Sequence, residues 1–311
     1  MVGTVAVTDE GWYEHLRARP ELTEVNFWRP SAHRTFRAPE FSPFLFKLRA
    51  PHYAVCGFAY FARYSALPNW LAWEAFGEAN GVSSRPEMES RLTAIRERIR
   101  FRGEGTSEYI GCTLLVQPVF FPPEAWVHQP DDWKIRTQTD KKYDLSAGEG
   151  RRVWEECLAV AAELRTSAIR ARLGAEERAR YGEPMLVRPR LGQRTFRIGV
   201  TDAYARACAV SGEHSLPALD AGHIMPFNEG GPHEISNGLL LRADLHRLFD
   251  KGYVTVDQNL KLVVSNRLRT EYQNGKTYYP FHGRDLRIPR TTREQPDPEL
   301  LRWHREHVFA A

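Results

Sequence analysis

The sequence predicts an α+β protein of two domains, and three observations carry that prediction. Short alternating apolar runs broken by aromatics and prolines fill the first half, a long breaker-poor helical run follows, and a strand, loop, helix, strand pattern occupies the last third. A chain of 311 residues with 42% hydrophobic content is long enough to bury two cores. The expected division is 1–149 for a first domain, 150–185 for a helical connector and 186–311 for a second domain.

Within residues 21–76, the runs FLFKLRA and YAVCGFAYFARYS read as strands, and LPNWLAWEAFGEANG reads as a short helix with Gly81 near its end. Glu87 to Arg102 is a charged helix, and EYIGCTLLVQPVFFP returns to strand. Short strands with inserted helices point to a compact barrel or curled sheet ending near Asp144. From Gly150 to Arg180 the period is helical, with Trp154, Leu158, Ala161 and Leu164 or Arg165 on one face. This stretch reads as the connector; a packing helix of the first domain is the alternative.

In the last third, LDAGHIMPFNEGGPHEISNGLLLRADLHRLFDKGYVTVD carries His223, Asn237 and His246. A turn-rich loop joins the strand bearing His223 to the helical LLLRADLHRLFD, which brings the two imidazoles to one point. The helix stops near Asp250, where Gly252 supplies the end, and YVTVD and KLVVS form a hairpin around Asp257, Gln258 and Asn259. His214 and His233 are expected to be partly buried hydrogen-bonding residues or to rim the cleft.

This stretch resembles the HNH endonucleases of the ββα-metal fold, over roughly Arg190 to Ser265, in the branch whose first histidine is followed by Ile and a nearby Pro. The resemblance implies a single divalent cation beside a neutral imidazole: the imidazole takes a proton from water while the cation stabilises the phosphorane charge and the leaving oxygen. It gives His223 the general-base role, His246 a metal-ligand role and Asn237 the task of orienting the loop. Many relatives place Asp directly before the base histidine, where this chain has Gly222. Asp220 is two residues earlier and so on the same strand face, which makes it the replacement ligand. Oxygen and imidazole donors suit Mg²⁺ or Mn²⁺, without excluding Zn²⁺ or Ni²⁺. Relatives often hold a structural zinc on paired CxxC sequences, but Cys208 stands alone, and Cys56, Cys112, Cys157 and Cys208 are widely separated. They read as buried apolar residues of a reducing cytoplasm, and no structural zinc is expected.

NFWRPS, FLFKLRAPHYAVCGFAYF, IGCTLLVQPVFFPPEAW and DDWKIRTQTDKKYDL resemble the leader domains of bacterial HNH proteins. Such a leader is similar to the PUA superfamily of β-barrels, which includes the EVE and SRA-type readers of modified bases. Readers of this class extrude a base into a pocket of aromatic faces and a few polar groups. The aromatic candidates are Trp28, Tyr53, Tyr60, Trp70, Trp73 and Trp133, with Trp28 and Tyr60 first and Arg29 and Ser31 as their polar neighbours. Most are expected to be core.

A net charge of +4 and a pI near 8.9 permit a nucleic-acid partner. Basic residues cluster on both sides of the motif, and Arg190, Arg194, Arg197, Arg267 and Arg269 are the candidates for DNA-backbone contact. No run of eighteen apolar residues and no export signal is present, so a soluble cytoplasmic protein is expected, with no membrane partner.

The combined expectation is a modification-dependent, type IV-like restriction endonuclease of antiphage defence. It would recognise 5-methyl- or 5-hydroxymethylcytosine in double-stranded DNA and act as a homodimer, since one site per chain must cut two strands. The first domain reading phosphorothioate, methyladenine or plain sequence remains open, as does a nonenzymatic nucleic-acid binder with a degenerate nuclease fold, to which Gly222 lends support.

Overall fold

The computed structural model describes residues 1–98, 108–134, 139–172 and 191–310. The chain is mixed α+β and divides into two compact units, Met1–Arg190 and Leu191–Ala311.

In the first unit the order is β1 (Val2–Thr8), α1 (Glu10–Arg17), β2 (Glu24–Arg29), β3 (Pro43–Leu48), β4 (Ala54–Pro68), α2 (Asn69–Phe76), α3 (Arg85–Arg98), β5 (Tyr109–Phe120), β6 (Val127–His128), β7 (Asp140–Asp144) and α4 (Gly148–Arg172). One seven-stranded sheet runs β2-β5-β4-β3-β1-β7, with β6 paired to β4. Among the described residues of this sheet, only β1 and β3 run parallel. The fifteen-residue β4 cannot stay flat, because its register against β5 shifts between Phe58 and Tyr60 and again between Phe61 and Arg63. Bulges of this kind bend and twist a strand. Gly57 adds to the bend: at φ 154° a Cβ there would lie 2.3 Å from the Val119 carbonyl oxygen. The curl brings the two edge strands together, and Arg29 on β2 pairs with Asp140 on β7 at 2.7 Å. The expected barrel is thus a curled sheet whose edges meet through an ion pair.

Strand alternation sorts the side chains into two cores. Phe44, Phe46 and Leu48 face Trp12, Tyr13 and Leu16 of α1, together with Phe61 and Leu115. Leu45, Val5, Val55 and Phe58 face Val153, Trp154 and Cys157 of α4, with Leu158, Ala161 and Leu164 packed alongside. Each such large side chain contributes about 2 kcal/mol by leaving water. Through Leu164, therefore, α4 is a packing helix of the first unit, and most of the face read from its period is spent on that core. The expected connector beyond 172, Arg190 included, lies outside the described residues. β1 and α1 were not anticipated from sequence. Asp9 caps α1, its carboxylate accepting from the Trp12 amide at 3.0 Å.

The second unit contains α5 (Gln193–Ala203), β8 (Leu219–His223), β9 (Gly238–Arg242), α6 (Ala243–Asp250), β10 (Val254–Val256), β11 (Leu262–Val264), α7 (Arg267–Tyr272) and α8 (Pro298–His307). β8 and β9 form one antiparallel pair and β10 and β11 another. Phe196 and Val200 of α5, Leu239 and Leu241 of β9, and Leu245 and Phe249 of α6 belong to one buried cluster with Val254, Leu262 and Leu301. The buried His304 of α8 ties this core together: its ring stacks on Phe249 at 3.7 Å, Nε2 meets the Phe249 carbonyl at 3.0 Å and Nδ1 meets Thr255 Oγ1 at 2.8 Å.

Candidate active site

β8 ends on His223, which pairs with Gly238 at the start of β9, so the loop between them leaves and returns at one edge of the two-stranded sheet. Asn237 closes that loop. Its Oδ1 accepts from the Met225 amide at 2.9 Å, while Nδ2 donates to the carbonyls of Met225 at 2.9 Å and Pro232 at 2.8 Å. Its own carbonyl accepts from the Ile224 amide at 2.8 Å. A fully buried carboxamide with both ends engaged in backbone hydrogen bonds fixes the loop. Gly231 belongs to the same clamp, since a Cβ there would sit 1.9 Å from the Met225 carbonyl oxygen.

His223 is held flat against Phe196 of α5, centroids 4.0 Å apart and planes 7° from parallel. His233 crosses it edge-on at 5.6 Å and in turn stacks on the exposed Phe227 at 4.6 Å. The His223 Nε2 is buried without a hydrogen-bond partner. Burial holds the imidazole below its usual pKa, and positive charge on His233 or His246 would lower it further. A histidine so placed is neutral at pH 7, the form a general base requires.

His246 rises from α6 beside the buried Leu245 and Phe249 and is itself half-buried. Its ring occupies the space above Gly222: a Cβ at 222 would lie 2.5 Å from His246 Cδ2. A side chain at 222 would crowd the imidazole where it now sits, and glycine leaves that space to it. Asp220, on the same face of β8, reaches His246 Nδ1 at 3.4 Å. Sequence reasoning missed Asp250, whose carboxylate lies 3.4 Å from His246 Nε2. The available signal was the i, i+4 spacing on one helix face. Burial raises the Asp250 carboxyl above its ordinary pKa, opposed by His246 and reinforced by Asp220.

No group of three or more His, Cys, Asp or Glu side chains closes around one point among the described residues. The imidazole of His246 and the carboxylate of Asp220 nevertheless form an adjacent nitrogen and oxygen donor pair. Such a pair suits a divalent cation that completes its shell with water and phosphate oxygens.

The remaining nominated residues do not gather. Trp28 donates its indole N–H to the Asn80 carbonyl at 2.9 Å, Arg29 is spent on Asp140, and Ser31 Oγ accepts from the His33 amide at 3.2 Å. Tyr60 sits on β4 and packs edge-on against Phe58. Arg267 pairs with Glu271 and covers the Tyr253 ring, and Arg269 covers Tyr279. Arg194 and Arg197 lie half-buried on α5. All four cysteines are buried and free. No helix among the described residues is long and apolar enough to cross a membrane.

Residues 208–257 match the family model described as HNH endonuclease. No curated protein matches the chain. Among solved structures, the chain is similar to an ASCH protein from Zymomonas mobilis, at 16% identity over 49% of this chain and 94% of that one, with a TM-score of 0.33. It is also similar to the modification-dependent TagI restriction endonuclease, at 15% identity over 86% of this chain and 61% of that one, with a TM-score of 0.27. At such TM-scores neither likeness establishes a fold. The matched segment spans β8, the Asn237 loop, β9 and α6, so the second unit carries an HNH endonuclease domain and the chain is a metal-dependent DNA endonuclease.

Proposed function

We propose that the chain is a modification-dependent restriction endonuclease: residues 1–149 form a PUA-like reader that binds a modified cytosine, and residues 186–311 hydrolyse a nearby phosphodiester with one divalent cation. The observation that supports the nuclease half is the presence of three fixed groups in the matched segment. His223 is held neutral by burial against Phe196, Asn237 locks the loop, and His246 is flanked by Asp220. Support for the reader half comes from the curled sheet with its aromatic cores, a shape that can hold a base away from the duplex stack.

In this mechanism His223 takes the proton from the attacking water. Asp220 and His246 would hold Mg²⁺ or Mn²⁺, which when bound supplies charge stabilisation at the phosphate and the leaving 3′ oxygen. Asn237 keeps His223 and the loop in register with His246. Tethering by the reader would explain how a nuclease with little sequence preference spares unmodified DNA. Cutting both strands calls for two copies of the chain on one duplex.

Plasmid cleavage by the full chain tests the reading. Modified plasmid should be nicked or linearised in Mg²⁺ or Mn²⁺, unmodified plasmid should be cut much more slowly, and EDTA should stop both reactions. Equal rates on the two plasmids would remove the reader, and cleavage that persists in EDTA would remove the metal.

A further inference from the structure

Lys47 is the one lysine buried in the first unit's described core, only 3% exposed, on the face of β3 that looks toward α4. Its Nζ donates to the carbonyl of the adjacent Leu48 at 2.9 Å, and no carboxylate pairs with it among the described residues. An ammonium has three donors, so two are left without a hydrogen-bond partner among the described residues. Burial, with Arg49 adding to it, lowers its pKa. Two aromatic rings flank the ammonium: Trp133, with its centroid 5.0 Å from Nζ, and Tyr53 at 5.8 Å. Tyr53 is 42% exposed and is the wall of this corner that meets solvent. It is held at φ 47°, a left-handed conformation that a bulky side chain rarely adopts and that marks a locally strained position. Its carbonyl accepts from the Gln129 amide at 3.0 Å, and the Gln129 Oε1 is itself buried without a partner.

We propose that Lys47, Tyr53, Trp133 and Gln129 form the base-reading pocket of the first unit, and that its occupant is a cytosine-type base extruded from DNA. The inference rests on the reader reading above and gives it a location. The two rings supply stacking faces, Lys47 Nζ donates to the acceptors on the pyrimidine edge, and Gln129 Oε1 accepts from the exocyclic amine. A buried cation kept without a counter-charge is explained by a ligand that supplies the missing acceptors.

Binding without turnover tests it, using the full chain in EDTA. The probes are a duplex bearing one 5-methylcytosine, its unmodified twin, and free 5-methyl-dCMP. Lys47→Met keeps the length of the side chain and removes an uncompensated charge, so the melting temperature should hold or rise while affinity for the modified duplex falls at least tenfold. Tyr53→Gly relieves the backbone and removes a stacking face, and should show the same pairing of retained stability with lost binding. Unchanged affinity in Lys47→Met, or a loss of affinity that merely tracks a lower melting temperature, would overturn the pocket. If wild-type protein binds both duplexes equally and Lys47→Met weakens both, the preference for the mark fails while the pocket stands. Loss confined to the free nucleotide would overturn the extruded base as occupant.

Discussion

Two buried polar groups, Asn237 in the second unit and Lys47 in the first, sit in similarly dry surroundings and are treated oppositely by the fold. Asn237 has a partner for its carbonyl and for both hydrogens of its amide, all within a dozen residues of chain. Lys47 has one carbonyl from its own neighbour and two rings. The first arrangement is complete and rigidifies; the second is incomplete and awaits a partner. A satisfied polar group positions its neighbours, whereas an unsatisfied one marks where something else binds.

The sharpest way to break the comparison is on the complete side. His223→Ala should lower the cleavage rate by about 10³-fold or more, with DNA binding retained, since it removes the base and leaves the clamp. Equal turnover would end its assignment as base. Asn237→Asp replaces a donor with an acceptor opposite two carbonyls, and should cost about 3 kcal/mol in chemical denaturation together with a lower turnover. A fully active and stable variant would show that the clamp matters less than its geometry suggests.

A comparable effect follows from His304, whose burial depresses its pKa from 6.5 to about 4. Because the folded state favours the neutral ring, this contribution is complete above the ordinary histidine pKa and is lost as pH falls toward 4. The full span amounts to about 3 kcal/mol. Denaturant midpoints of the second unit should therefore drop between pH 7 and pH 4, and His304→Gln should flatten that dependence. The smallest expected effect is at Ser31, whose hydroxyl only braces a turn. Ser31→Ala should leave affinity for modified DNA within about twofold, and a larger loss would return the pocket to the end of β2.

Legibility divided along the same line. The ββα site could be read because its chemistry lies in one short segment, where a strand period, a turn-rich loop and a helix face place His223, Asn237 and His246 without reference to the rest of the chain. The seat of His246 over Gly222 was not legible, because it depends on how closely α6 approaches β8. Asp250 was overlooked for want of a prior reason to look one turn beyond a ligand. In the first unit β3, β4, β5, α2, α3 and α4 announced themselves by alternation and period, yet the pocket did not. Lys47, Tyr53, Gln129 and Trp133 come from separate segments, and only sheet register brings them together. Trp28 and Arg29 drew attention through residue type, but the fold uses them to brace Asn80 and to bridge the sheet edges. β1 and α1 are only seven and eight residues long, too short for alternation or helical period to stand out.

The central claim is that His223 and His246, from strand and helix, act as one centre. A double-mutant cycle on residual cleavage in Mn²⁺ tests it most directly, using His223→Ala, His246→Ala and the pair. Groups acting as a unit should give a double variant no slower than the slower single variant. Losses that multiply in full would show two independent contributions and contradict the account.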